Sequence, residues 1–157
     1  MTSVPRAGEC PECGAVTRLH TCHDLFMTLL SYDHEQRQPW AAFHTLNVAC
    51  YLLQHPSQGT AASRAGQWLM VRTFVDHGID AVHALARAAV RRNSHRHGGR
   101  GGLDADLPAP PPPVRHPAVT IHTVAVDGTF PAAGYESRMR DWAAATLASR
   151  APDGAPG

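Results

Sequence analysis

The sequence predicts a mainly α protein, a small helical bundle with a cysteine knuckle at its N-terminus. Three observations predict it. Apolar residues recur at three- and four-residue steps in five separate stretches. Three of the four cysteines fall at positions 10, 13 and 22, ahead of the first of those stretches. Residues 93–117, NSHRHGGRGGLDADLPAPPPPVRHP, break the pattern with glycine pairs and a proline run. That segment has little to bury and reads as a disordered Pro/Gly linker. The expected division is a knuckle plus helical core over 1–92, the linker over 93–117, an extended segment and a docking helix over 118–150, and a tail over 151–157.

Composition bounds the function. A chain of 157 residues with 43% hydrophobic and 17% charged residues can bury a core and is not a disordered polymer. A net charge of +1 sets up no global field, so neither nucleic acid nor a membrane surface is expected as a partner. An unidentified protein or small molecule is. All fourteen basic residues are arginine, which with the abundant Ala, Gly and Pro fits a GC-rich bacterial genome. The N-terminus lacks an apolar signal core and no run approaches a membrane span, so a cytoplasmic protein is expected. In a reducing cytosol four cysteines point to metal rather than disulfides.

Taken in order, residues 1–8 read as a loose tail. Cys10-Pro11-Glu12-Cys13-Gly14 is a C-x-x-C turn, with Gly14 free to adopt the left-handed conformation that such a turn needs. A helix of about ten residues should begin at Thr21 or Cys22, with Leu25, Phe26, Leu29 and Leu30 inside and Asp24 favouring its positive end. Residues 39–56, PWAAFHTLNVACYLLQHP, form the organising helix, bracketed by prolines. Phe43, Leu46, Ala49, Cys50 and Leu53 share one face; His44, Val48, Tyr51 and His55 share the next. Pro56 should stop the helix and hold His55 outside the α region. The two helices then form an antiparallel hairpin.

A third helix is expected from Thr60 or Ser63 to about His77, stopped by Gly78. A fourth runs over 81–92, capped by Asp80. Val119–Val126 alternates well enough for a short strand or extended segment, with Asp127-Gly128 as a turn. Residues 136–149 form the closing helix, whose Met139, Trp142, Ala143, Thr146 and Leu147 fall on one stripe.

The chemistry concentrates in Cys10, Cys13 and Cys22. Zinc takes four soft ligands in a tetrahedron, and one C-x-x-C turn supplies two of them; a redox pair is the next reading of the same turn. The fourth follows from the hairpin. Cys22 lies about eleven residues before the end of its helix, so its neighbour lies about eleven residues beyond Trp40, near Tyr51. His55 and Cys50 are within reach, with His55 preferred; His20 and His23 compete locally. His44 lies about 16 Å from His55 along the same helix and cannot share its ion. His44 is instead a partly buried histidine with a polar partner, or one wall of the pocket of a metal-dependent enzyme, shared with Asn47, Tyr51 and Asp24 or Asp33. No nucleophile elbow, phosphate loop or dinucleotide fingerprint occurs. The run around Arg91-Arg92 and His95-Arg96-His97 is local and reads as solvated.

Cys10–Gly14, Cys22, Phe26, His44, Leu46, Val48 and Tyr51–Pro56 together resemble a bacterial family of small proteins of unknown function. That family pairs a CPxCG start with an H-x-L-x-V-D-A-Y-x-x-Q-H-P helix, and Arg140-Asp141-Trp142-Ala143 resembles its closing helix. Ala49 and Cys50 stand here where the family pattern has Asp and Ala. The resemblance implies a fold and a site, and no reaction.

Overall fold

The computed structural model describes residues 8–17, 19–95 and 107–151. The expected tails fall largely outside these residues, as do Arg96 and His97 of the basic run and 96–106 of the expected linker. The described chain is mainly helical. The six helices are α1 (Cys22–His34), α2 (His44–Gln54), α3 (Ala61–His77), α4 (Ile79–His95), α5 (Ile121–Val124) and α6 (Tyr135–Ala148). Among the described residues the only β pairing is two isolated bridges, Glu9 with Val16 and Val126 with Thr129.

Helix α1 starts at Cys22, at the expected place. The Thr21 hydroxyl accepts from the Asp24 N–H at 3.0 Å, and the Asp24 carboxylate accepts from the Thr21 N–H at 3.1 Å. This reciprocal pair satisfies two donors that a helix end leaves without partners. The organising stretch is not one continuous helix. Ala41–Phe43 form a 3₁₀ turn, and α2 proper begins at His44 after Phe43 takes φ −101° and ψ 9°. Trp40 is tied to the Phe130 carbonyl through its indole N–H at 2.8 Å. The turn between these two buried aromatics closes with the tighter 3₁₀ bond from Phe43 N–H to Trp40 O. At the other end His55 sits at φ −130°, ψ 69°, outside the α region ahead of Pro56, as expected.

Helices α1 and α2 run antiparallel. Phe26 stacks on Tyr51 with centroids 3.9 Å apart near one end, and Asp33 pairs with His44 at 2.9 Å near the other. Helix α2 is enclosed by α1, α3 and α6, which is why Leu46, Ala49, Cys50, Tyr51 and Leu53 are all buried. Gln54 locks α2 to α6: its amide nitrogen donates to Thr146 Oγ1 and the Val119 carbonyl, and its amide oxygen accepts from the Trp142 indole. A buried amide is tolerated only with its groups paired in this way.

Two local expectations are corrected. Ile121–Val124 is a helical turn, not a strand. Thr120 and Thr123 cap it reciprocally, and no neighbouring strand is described there to pair with. The Asp127-Gly128 turn does form, with Val126 and Thr129 exchanging both backbone bonds. Helix α4 runs to His95, past the expected linker start at 93. Within the second half of that segment, the Pro111 carbonyl accepts from Arg150 and the Val114 N–H donates to Ser149 O, so the proline run lies against the end of α6.

Candidate metal centre

The C-x-x-C turn is built by its own backbone. Cys10 N–H donates to Ala15 O and Gly14 N–H to Cys10 O, both at 2.8 Å. Gly14 has φ +77°, and an added Cβ would lie 2.4 Å from His116 Nδ1. Both the backbone conformation and the packing therefore require glycine here. The turn is fastened to the chain beyond α2 by Glu12, whose carboxylate accepts from the Ser57 N–H and hydroxyl at 2.9 Å.

The fold brings Cys10, Cys13, Cys22 and His55 together. Their ligand atoms all lie within 4.8 Å of one another, and the last three residues are buried. The set can hold a metal ion. Cys13 Sγ and Cys22 Sγ are 3.6 Å apart. Two sulfurs at the ~2.3 Å zinc distance and a tetrahedral angle would lie about 3.8 Å apart, so this edge of the cluster has the right size. His55 Nδ1 donates to the Tyr51 carbonyl at 2.8 Å, an acceptor that fixes the tautomer. Its other nitrogen, Nε2, is then a lone-pair donor. It is buried, without a hydrogen-bond partner, on a side chain that faces the sulfurs. A metal-ligating histidine commonly has its remote nitrogen held by a carbonyl in this manner.

The contacts within the cluster set its two buried thiols apart. Cys13 is lowered to about 4, first by the hydrogen bond from Cys22, which outweighs burial, with His55 adding to the effect. Cys22 is pushed up by that same contact, by burial and by the Cys13 and Cys10 charges. Burial lowers His55, but its contacts with Cys13 and the Tyr51 carbonyl outweigh this and leave it raised. His122 Nε2 lies 3.5 Å from Cys22 Sγ, a contact between residues 100 positions apart that no local motif signals.

The rival ligands lie elsewhere. Cys50 is 0% exposed on the side of α2 that faces Thr146, and burial raises its thiol to about 12. His20 packs on Gly128, and His23 is exposed on α1. His44 is at the far end of the hairpin. Its Nδ1 pairs with the buried Asp33 carboxylate, which also lies 3.4 Å from Asn47 Nδ2. Asn47 Oδ1 in turn accepts from Tyr135 OH at 2.6 Å. The Asp33 contact, opposed only by burial, raises His44. Tyr51 does not join this group: its hydroxyl donates to Gln58, and its ring stacks between Phe26 and His55.

A family model described as a family of unknown function, DUF5946, matches residues 8–151. The chain belongs to DUF5946. The match spans the knuckle, the hairpin and the closing helix, so the cysteine cluster and the elements that position it lie inside the family's boundaries. No curated protein and no solved structure matches the chain. Among the described residues of this DUF5946 protein, no helix is long and apolar enough to cross a membrane.

Proposed function

We propose that Cys10, Cys13, Cys22 and His55 hold one structural zinc ion. In this reading the protein is a cytoplasmic module that binds a protein or small-molecule partner, in a binding or regulatory role, on a fold the metal stiffens. The observation that carries the metal reading is His55 Nε2, a buried lone pair without a partner on the one histidine among the described residues that reaches three cysteines. Three sulfurs and an imidazole suit zinc over hard cations, which take oxygen. Four protein ligands leave no open position for a reacting water, so the site is structural in kind. An enzyme built along His44, Asn47 and Tyr51 is the weaker reading, because Tyr51 lies at the sulfur end and not beside His44.

The test is elemental analysis of the full chain purified from zinc-replete culture. The expected result is about one zinc per chain, released when the thiols are modified. Metal-free protein that takes up no zinc, or a Cys10–Cys13 disulfide in fresh protein, would overturn the reading.

A further inference from the structure

Between the start of α3, the end of α6 and the proline run lies a cleft of about 260 Å³. Among the described residues its lining holds two cations, Arg64 and Arg150, and no acid; prolines and alanines make up the rest. Arg150 is only 3% exposed. Its two terminal nitrogens donate to the Pro111 and Leu53 carbonyls at 2.9 and 2.8 Å, which fixes the guanidinium in place. Its Nε–H is buried and has no acceptor. Arg64 repeats the arrangement: Nη2 donates to the Pro56 carbonyl at 3.1 Å, and the buried Nε–H has no acceptor.

Among the described residues neither guanidinium meets a carboxylate, since the ion pairs there involve other cations. Burial first, and then the Arg64 charge, lower the Arg150 pKa, so the two cations oppose each other across this cleft. Buried cations are normally paired, and buried N–H groups normally have acceptors. A third donor group adds to the imbalance. Ala61, first residue of the 17-residue α3, also lines the cleft. The Thr60 cap takes the Ser63 N–H, and the other N–H groups of that first turn carry the positive dipole end of the helix.

We propose that this cleft binds a small phosphate-type oxyanion, held between Arg64, Arg150 and the N-terminus of α3. Three donor groups converge, two from α3 and one from the chain just past α6, which suits a tetrahedral anion with oxygens in several directions. A planar carboxylate engages one guanidinium fork at a time. The cleft is smaller than the ~300–1,000 Å³ of drug-sized sites, so it takes inorganic phosphate or the phosphoryl end of a larger molecule. The proposal does not depend on the metal reading, since none of the four candidate ligands lines the cleft.

The test is calorimetric titration of the full chain with inorganic phosphate at low ionic strength, with acetate titrated in parallel. Saturable one-site phosphate binding is expected, with acetate about tenfold weaker or more. Arg64→Gln should weaken phosphate about tenfold or more while metal content stays that of the parent. Arg64 is part-exposed and gives up one carbonyl contact, so this variant should fold. Arg150→Lys keeps the charge but loses the fixed fork, and should weaken phosphate as well. Should Arg150→Lys fail to fold, the Arg64→Gln arm decides. No saturable phosphate binding, acetate as tight as phosphate, or Arg64→Gln binding like the parent would each overturn the proposal.

Discussion

His55→Ala separates the metal reading from a purely packed one. The substitution removes an imidazole that is 0% exposed, stacks on Tyr51 at 4.2 Å and donates to the Tyr51 carbonyl. Those losses are metal-independent: about 1 kcal/mol for the hydrogen bond and about 0.5–1.5 kcal/mol for the stack. The metal-dependent loss is larger. Removing an outer partner of a metal ligand costs about 10–100-fold in affinity, so removing the ligand itself should cost no less than about 100-fold. In a buffer holding free zinc at about 100 times the parent's Kd, the parent gains about 2.7 kcal/mol, and a 100-fold weaker variant gains about 0.4 kcal/mol. The difference of about 2.3 kcal/mol corresponds to about 5–9 °C for a chain of this size. The assay is the zinc-induced rise in melting temperature, measured for parent and variant so that the metal-independent losses cancel. His55→Ala should lose about that much of the rise, whereas His44→Ala and Cys50→Ser should keep it. A full zinc-induced rise in His55→Ala would refute the ligand assignment and the observation it rests on together.

Gly14→Ala should destabilise by about 1–3 kcal/mol in urea denaturation, because an L residue at φ +77° is strained and its Cβ meets His116. His116→Ala in that background should recover only part of the loss; full recovery would show that φ carries no cost. Asp33→Asn should lower the His44 titration midpoint followed by NMR, since the Asp33 contact is what raises it. A raised histidine pKa gives stability that is full below the unfolded value of ~6.5 and lost as pH rises through the folded value. The parent's advantage over Asp33→Asn should therefore be wider at about pH 5.5 than at about pH 8.5. The gap stays under ~1 kcal/mol, because the His44 side chain is 55% exposed. An unchanged midpoint would sink the pairing.

The legible parts were those that local spacing or a rigid helix encodes. Thr21, Pro56 and Gly78 mark helix ends by local chemistry alone, and each end lies where they put it. The choice of His55 over His44 needed only the rise of a helix and one antiparallel turn. What was not legible depends on partners far along the chain. The alternation of Val119–Val126 suits a strand, but a strand needs a neighbour, and the Thr120 cap favours a helical turn instead. His122 reaches Cys22 from 100 residues away, and Arg150 finds carbonyls at Leu53 and Pro111. Composition reads the proline run as a linker with little to bury. It carries no information on whether the free carbonyls of that run meet donors on α6.

The position of the cluster also says which parts of the fold a bound metal would hold. Residues 8–17 have one isolated bridge and a few backbone bonds of their own, too little to fix a chain segment. Their anchors are the Glu12–Ser57 contact and the cysteine cluster. From the cluster a stack of rings, His55 on Tyr51 on Phe26, runs into the α1–α2 interface, and His122 connects it to α5. The packing of α3 on α4 lies apart from this path and rests on residues such as Val71 and Val82, both 0% exposed. Binding energy at the four ligands would therefore act on the N-terminal turn, the start of α1, the end of α2 and α5. The α3–α4 pair would keep its own stability, because its buried apolar surface does not pass through any ligand.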